Sequence, residues 1–394
     1  MKKFIKMSSN RKWWLFMVFF FVLFAVGGEQ KVLGQTNLSR YDLGNVTPNT
    51  ADPTLPYRIY DDFGNTYSLD QISRPPNKPV TNCANTGGSF DTEIDFLDEP
   101  GVGFNNTNMA PARNIICQVL TDISYMVAAS YSCEGTKPVL RVQVNPAVFQ
   151  APAPSGAVML GSASGYYYNY SNGTNTQPGY THNNVWRLIN GGNDPTLSPY
   201  VNGNNVYHGR MTFNLHPGVN WNYDISWANQ AFGNGAQYDF YQVVLHECLH
   251  MMGLQSWMNS NGLSSYSAPA TPPYGLYTRF DKYLTTAAIP NNNLLTNTNN
   301  CYNVLFNANN SLLTGGCQQV TFKGQQNTSL SLPIYTPTAW SDVSSLSHFG
   351  DVDNCGTSNY LMHWYILNNA TGRAIRYPTD DEASVLCEDR KSVV

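Results

Sequence analysis

Tyr238-Asp239-Phe240-Tyr241-Gln242-Val243-Val244-Leu245-His246-Glu247-Cys248-Leu249-His250-Met251-Met252-Gly253 is the stretch on which the reading of this chain turns. Asp239 followed by Gln242 resembles a capping pair, and Phe240, Val243, Val244 and Cys248 supply an apolar face. Gly253 stands where a helix can end in a left-handed turn. On such a helix His246 and His250 are four apart and project side by side, so both imidazoles can reach one Zn²⁺ at about 2.0–2.1 Å. Glu247 sits beside the first ligand, where its carboxylate reaches a metal-bound water without ligating the metal. It would take that water's proton during attack on a peptide carbonyl and hand it to the leaving amine. The competing reading is a surface helix with a chance match, expected in roughly one chain in a hundred of this length. The capped, apolar character of the segment weighs against it.

Two histidines do not complete a catalytic zinc site, which takes three protein ligands and leaves a position for water. No Glu occurs between Glu247 and Glu382, so a two-His, one-Glu arrangement has no donor at a credible distance downstream. What remains is His348, His363, Asp281, Asp342, Asp351 and Asp353. His348 ranks first, being neutral, soft enough for zinc, and followed by Met362 in Tyr360-Leu361-Met362-His363. Asp281, in Thr278-Arg279-Phe280-Asp281, is the alternative donor, and His348 as a solvated loop histidine is the third possibility.

His246-Glu247-x-x-His250-x-x-Gly253 resembles the metzincin helix, in which the Gly turns the chain below the metal. Ser347-His348-Phe349 and then Tyr360-Leu361-Met362 are similar to the leishmanolysin family, in which an insertion separates that Gly from the third His and a Met-turn follows. The resemblance covers about 90–394. It implies a secreted zinc endopeptidase, with His246, His250 and His348 as ligands, Glu247 as the base and Met362 packed under the zinc. It also implies a strand near Met211–Leu215 as the sheet edge alongside bound peptide. Ser256 occupies the position where the shortest metzincin motif has its third His. Cys248 inside the motif, and a chain ending after Cys387 without a Cys-rich C-terminal region, depart from leishmanolysin itself and point to a bacterial relative.

Working outward from the helix, Thr92, Ile94 and Phe96 alternate with Glu93 and Asp95, the period of a half-buried strand. Ile116, Leu120, Ile123 and Val127 recur at helical spacing over about 110–128. Leu140, Val142 and Val144, and then Met211, Phe213 and Leu215, predict two more strands. The order strand, helix, strand, loops, strand, helix predicts an α/β fold with a mixed sheet. Residues about 258–340, dominated by Asn, Ser, Thr, Pro and Leu, are too many for a simple loop and predict an insert with structure of its own before the third ligand. The domain expectation is a signal peptide over 1–34, a leader or prosegment over 35–82, and a metallopeptidase domain over 83–394.

Lys2, Lys3, Lys6, Arg11 and Lys12 precede an apolar run, Trp13 to Val26, that is short for a membrane span, with small residues Val32 and Gly34 before a cut at Gln35. An uncleaved signal anchor is the alternative. Cleavage removes six basic residues and one acid, leaving 16 Lys+Arg, 25 Asp+Glu and a net charge of −9. Such a chain is a poor binder of nucleic acid or anionic membrane, so the expected partner is a peptide or protein substrate, met outside the cell and without stable membrane association. All 8 cysteines lie after the cut, as suits disulfides in an exported protein. Cys117 with Cys133 and Cys301 with Cys317 are plausible local loops, and Cys83 is read as a disulfide partner before a latency-switch thiolate. Cys248 is expected to pack or pair. His182, His208 and His216 are read as solvated loop residues, and Tyr360 or Tyr365 as a candidate for hydrogen bonding to an oxyanion. Asn-x-Ser/Thr triplets such as those at Asn105 and Asn327 would accept glycans in a eukaryotic secretory pathway. The rivals to a peptidase are a catalytically silent surface-binding or adhesive module and a zinc hydrolase of non-peptide substrates.

Overall fold

The alternation at Ile94, Leu140, Val142, Val144, Met211 and Phe213 builds the centre of the molecule, since each of these side chains is buried. In the computed structural model they lie on a five-stranded mixed sheet of β1 (Thr81–Cys83), β2 (Asp91–Phe96), β3 (Val139–Ala147), β4 (Gly161–Gly165) and β5 (Gly209–Asn214), in the order β1-β2-β3-β5-β4. The β2–β3 and β3–β5 pairs are parallel, and the outer pairs β1–β2 and β5–β4 are antiparallel. The structure describes residues between 58 and 388. The longer stretches outside it are 1–57, 130–136, 149–157, 170–178, 195–205, 228–236, 268–274, 287–312, 314–319, 351–359, 364–373 and 389–394, with shorter breaks elsewhere.

Helix α1 (Ala110–Met126) makes the β2–β3 crossover, and a shorter helix, α2 (Asn184–Gly191), lies between β4 and β5 in the chain. Pro111 sits in the first turn of α1, where a missing N–H leaves no hydrogen bond unmade. Extended Val127 ends it. Ile115, Ile116, Val119, Leu120 and Ile123 are buried, each worth about 1.5–3 kcal/mol of removed apolar surface. Cys117 on this helix pairs with Cys83 of β1, the Cα atoms being 5.3 Å apart. The Cys117–Cys133 loop expected from spacing is therefore corrected, and Cys83 has no thiolate with which to act as a switch. Cys133, Cys301 and Cys317 lie outside the described residues.

The family resemblance places the strand near Met211–Leu215 at the sheet edge, and this too is corrected. β5 lies inside the sheet between β3 and β4, and the edge strand next to it is Gly-Ser-Ala-Ser-Gly, β4. Its small residues carry no hydrophobic period, but they let a helix lie close. Gly209 of β5 shows how close: a Cβ there would stand 2.7 Å from Cγ of Met251.

The stretch read as a leader is built into the fold where it is described. Arg58–Tyr60 pairs antiparallel with Thr66–Tyr67 and with Tyr167–Asn169. The buried Asp62 carboxylate accepts hydrogen bonds from Tyr167 Oη (2.5 Å), Ser164 Oγ (2.8 Å), Trp257 Nε1 (3.1 Å) and the Gly165 amide (3.2 Å). Burial pushes its pKa up to about 7, against the lowering effect of these donors.

Within 258–340, β6 (Leu284–Thr286), β7 (Val320–Lys323) and β8 (Ser331–Pro333) form an antiparallel sheet whose apolar residues join the main core. Just beyond β8, Ile334 bridges to Phe349, so this sheet carries the chain directly to His348. Among the described residues no helix is long and apolar enough to cross a membrane.

Candidate metal centre

Helix α3 (Phe240–Met251) presents the two histidines of the motif. Asp239 caps it, its Oδ1 accepting the Gln242 amide at 2.7 Å. Gln242 does not close a reciprocal box; its Oε1 accepts the Ile375 amide at 3.1 Å. Arg376 pairs with Asp239 and donates to the Ile225 and Asp224 carbonyls, so residues 374–376 clamp the start of the helix. The helix is buried on every side rather than amphipathic, and all 12 of its residues are enclosed. Gly253 follows at φ 109°, the left-handed region its place in the motif predicts.

His348 is brought to this helix from 98 residues away. The Nε2 atoms of His246 and His250 are 3.1 Å apart, and those of His250 and His348 are 3.3 Å apart. Nitrogens bound tetrahedrally at about 2.0–2.1 Å from one ion stand about 3.4 Å apart, which these separations approach. Each Nδ1 is engaged by a backbone carbonyl: Leu361 O for His246 (2.9 Å), Leu254 O for His250 (2.8 Å) and Ser344 O for His348 (2.9 Å). A carbonyl only accepts, so each Nδ1 carries the hydrogen and each Nε2 turns a lone pair inward. Three inward lone pairs repel one another unless a cation lies among them, and the donor set suits an ion that accepts imidazole. Burial keeps all three neutral, with a further lowering from His246 at His250 and from His250 and His246 at His348. It lowers His246 to about 4 and His250 to about 3, and His348 falls well below its usual value. The buried triad is thus able to hold a metal ion.

Glu247, next to His246, is buried against the edge strand. A Cβ on Gly161 would come within 3.0 Å of its Oε1. Its Oε2 has no hydrogen-bond partner, and burial raises its pKa to about 8. An orphaned buried carboxylate oxygen is costly to keep and is a common mark of a functional group.

The turn that delivers His348 is strained at Leu346, whose φ of 64° is unusual for a bulky side chain. Its amide donates to Tyr335 O (2.9 Å), and Tyr335 N donates to His348 O (2.9 Å). The segment 360–362 closes the other side: the Phe349 amide donates to Met362 O at 2.8 Å, and Met362 is fully buried.

Asp281, the alternative donor, lies elsewhere. Its buried carboxylate accepts from Ser256 Oγ (2.5 Å), Trp257 N (3.1 Å) and Thr278 N (3.0 Å), fixing the chain just after Gly253. Ser256 is thereby occupied as well. Tyr360 packs edge-on against Phe349 at 6.1 Å, while Tyr365, Asp351 and Asp353 lie outside the described residues, as do Asp342 and His182. Cys248 packs in the core, its Sγ 3.6 Å from Met211 Sδ. His216 serves its own loop by accepting the Gly218 amide at Nδ1. His208 is a correction: it is fully buried, its Nδ1 accepts the Arg141 amide (2.9 Å) and its Nε2 meets Asp194 (2.9 Å).

Sequence reasoning passed over Glu382, which is fully buried on α4 (Asp380–Glu388) and bonded to the Met362 amide at 2.7 Å. Thr379-x-x-Glu382 is a capping-box pattern and was a usable signal for its helix. No family model matches this chain, and neither does any curated protein or solved structure.

Proposed function

We propose that this chain is a secreted zinc-dependent endopeptidase of the metzincin type, resembling the leishmanolysin family, with His246, His250 and His348 as zinc ligands. The observation that carries the reading is the convergence of three neutral Nε2 atoms, each held by an Nδ1 bond to backbone, beside a carboxylate whose Oε2 is unpartnered. Bound there, zinc supplies Lewis acidity that makes water a stronger acid and polarises a carbonyl oxygen. Glu247 accepts the proton of the attacking water at Oε2 and passes it to the leaving amine, while burial keeps competing solvent away from the carboxylate. Met362 is a packing residue that holds the Leu361 carbonyl against His246. β4, which pairs on one side only with β5 and meets no other described strand, offers its free edge to an extended peptide.

The test is Glu247→Gln. A peptide screen should find cleavage by the wild type that this variant loses by about 10²–10⁴-fold, the share of general-base catalysis. The variant should keep its zinc, because Glu247 is not a ligand. Cleavage at the wild-type rate would remove Glu247 from its role. Wild-type protein that binds zinc but cleaves nothing would favour the silent binding module.

A further inference from the structure

The capping box that starts α4 uses only half of the Glu382 carboxylate. Glu382 Oε2 accepts Thr379 N (2.8 Å) and Thr379 Oγ1 (3.0 Å), while Thr379 Oγ1 accepts Glu382 N (3.2 Å). Those bonds complete the box. Oε1 is left over, and it reaches 20 residues back along the chain to the Met362 amide at 2.7 Å. The Leu361 backbone contributes a further bond to the same carboxylate.

The Met362 N–H and the Leu361 C=O belong to one peptide unit. At its other end the Leu361 oxygen accepts from His246 Nδ1 at 2.9 Å. A single planar group therefore links a fully buried carboxylate to the imidazole whose Nε2 faces the other two histidines. A carboxylate drawing on the N–H polarises the peptide and makes its oxygen a stronger acceptor. A stronger acceptor at Nδ1 makes Nε2 a better donor to a metal and locks the ring's rotation.

We infer that Glu382 is a positioning residue for the metal centre, acting on His246 through the Leu361–Met362 peptide. The inference rests on the metal reading above and goes beyond it by assigning the C-terminal helix a role in setting ligand strength. A residue that merely capped α4 would need no oxygen aimed at the Met-turn, and Thr379 supplies the comparison. Thr379→Val breaks the side-chain half of the box and leaves Oε1 on Met362.

The experiment uses the full chain loaded with zinc, and separately with Co²⁺, whose visible absorption reports ligand geometry. Glu382→Gln should weaken zinc binding about tenfold in competition with a chromogenic chelator, the low end for loss of a partner behind a ligand. It should also shift the cobalt bands. Thr379→Val should lower the melting temperature yet keep the wild-type zinc affinity and bands. Glu382→Asp, which keeps the charge but draws it back from Met362, should weaken zinc binding by less than the Gln change, and it serves if Glu382→Gln does not fold. Wild-type affinity and bands in the folded Glu382 variants, or equal losses in Thr379→Val, would overturn the inference alone. A wild type that takes up neither ion would overturn it together with the metal reading.

Discussion

Gly161→Ala adds one methyl group at the contact between the edge strand and Glu247. The new Cβ would stand 3.0 Å from Glu247 Oε1, 3.1 Å from its Cγ and 3.2 Å from the Thr212 carbonyl oxygen. Comfortable contacts to carbon lie at about 3.5–4.0 Å, so some group must retreat by about 0.5 Å. Thr212 O is backbone of the neighbouring strand and Thr212 is paired with Ser162, which leaves the Glu247 side chain to yield. A misplacement of about 1 Å costs on the order of 10²-fold in rate, so half of it should cost about tenfold, or about 1.4 kcal/mol in the barrier. The assay is kcat and kcat/KM on the best peptide from a screen, with zinc content and melting temperature on the same samples. We expect kcat to fall about tenfold with zinc retained and the melting temperature within a few degrees of wild type. An unchanged kcat, or activity lost only in proportion to lost zinc, would refute the placement of Glu247 against β4.

Two further outcomes test the fold around the site. Replacing Cys83 and Cys117 by Ser releases a loop with a sequence separation of 34; chain entropy puts the loss near 4 kcal/mol, and denaturant unfolding should show it without zinc being lost from the folded fraction. Asp281 is wholly buried with its pKa raised from 3.8 to about 6, chiefly by burial. A raised carboxyl favours the folded state most below its unfolded pKa, and this contribution is lost as pH rises through about 6. Asp281→Asn carries no such dependence, so its stability relative to wild type should improve from pH 4 to 7, by up to about 1.4 kcal/mol per pH unit within that window. Denaturant midpoints across that range check the sign; a relative stability that worsens with pH would contradict it.

The elements legible in the sequence were those with a period. β2, β3, β5 and α1 repeat their apolar residues every second position or along one face, and α3 declares itself by its cap, its glycine and two histidines four apart. His348 is legible only by eliminating other donors and by the Met362 that follows it, because no periodic signal marks a histidine that a separate sheet delivers across 98 residues. β4 left no signal, since Gly161 and Gly165 serve there by lacking a side chain, which leaves room for Glu247 and Asn183. The Cys83–Cys117 pairing depends on how a strand and a helix stack, which spacing does not encode. His208 reads as a loop residue among Asn and Gly, and only the folded chain brings Asp194 and the Arg141 amide to its two nitrogens. Glu382 was visible as the end of a capping box, but the destination of its second oxygen is a tertiary fact.

Zinc stoichiometry of purified wild-type protein beside His348→Ala, measured by elemental analysis after exhaustive dialysis, tests the central claim most directly. The claim is that helix α3 and the distant His348 share one metal ion. Wild type should retain close to one zinc per chain. His348→Ala should lose most of it, while Ser256→Ala keeps it. Wild type without zinc, or a His348→Ala protein that holds a full equivalent, would contradict the account.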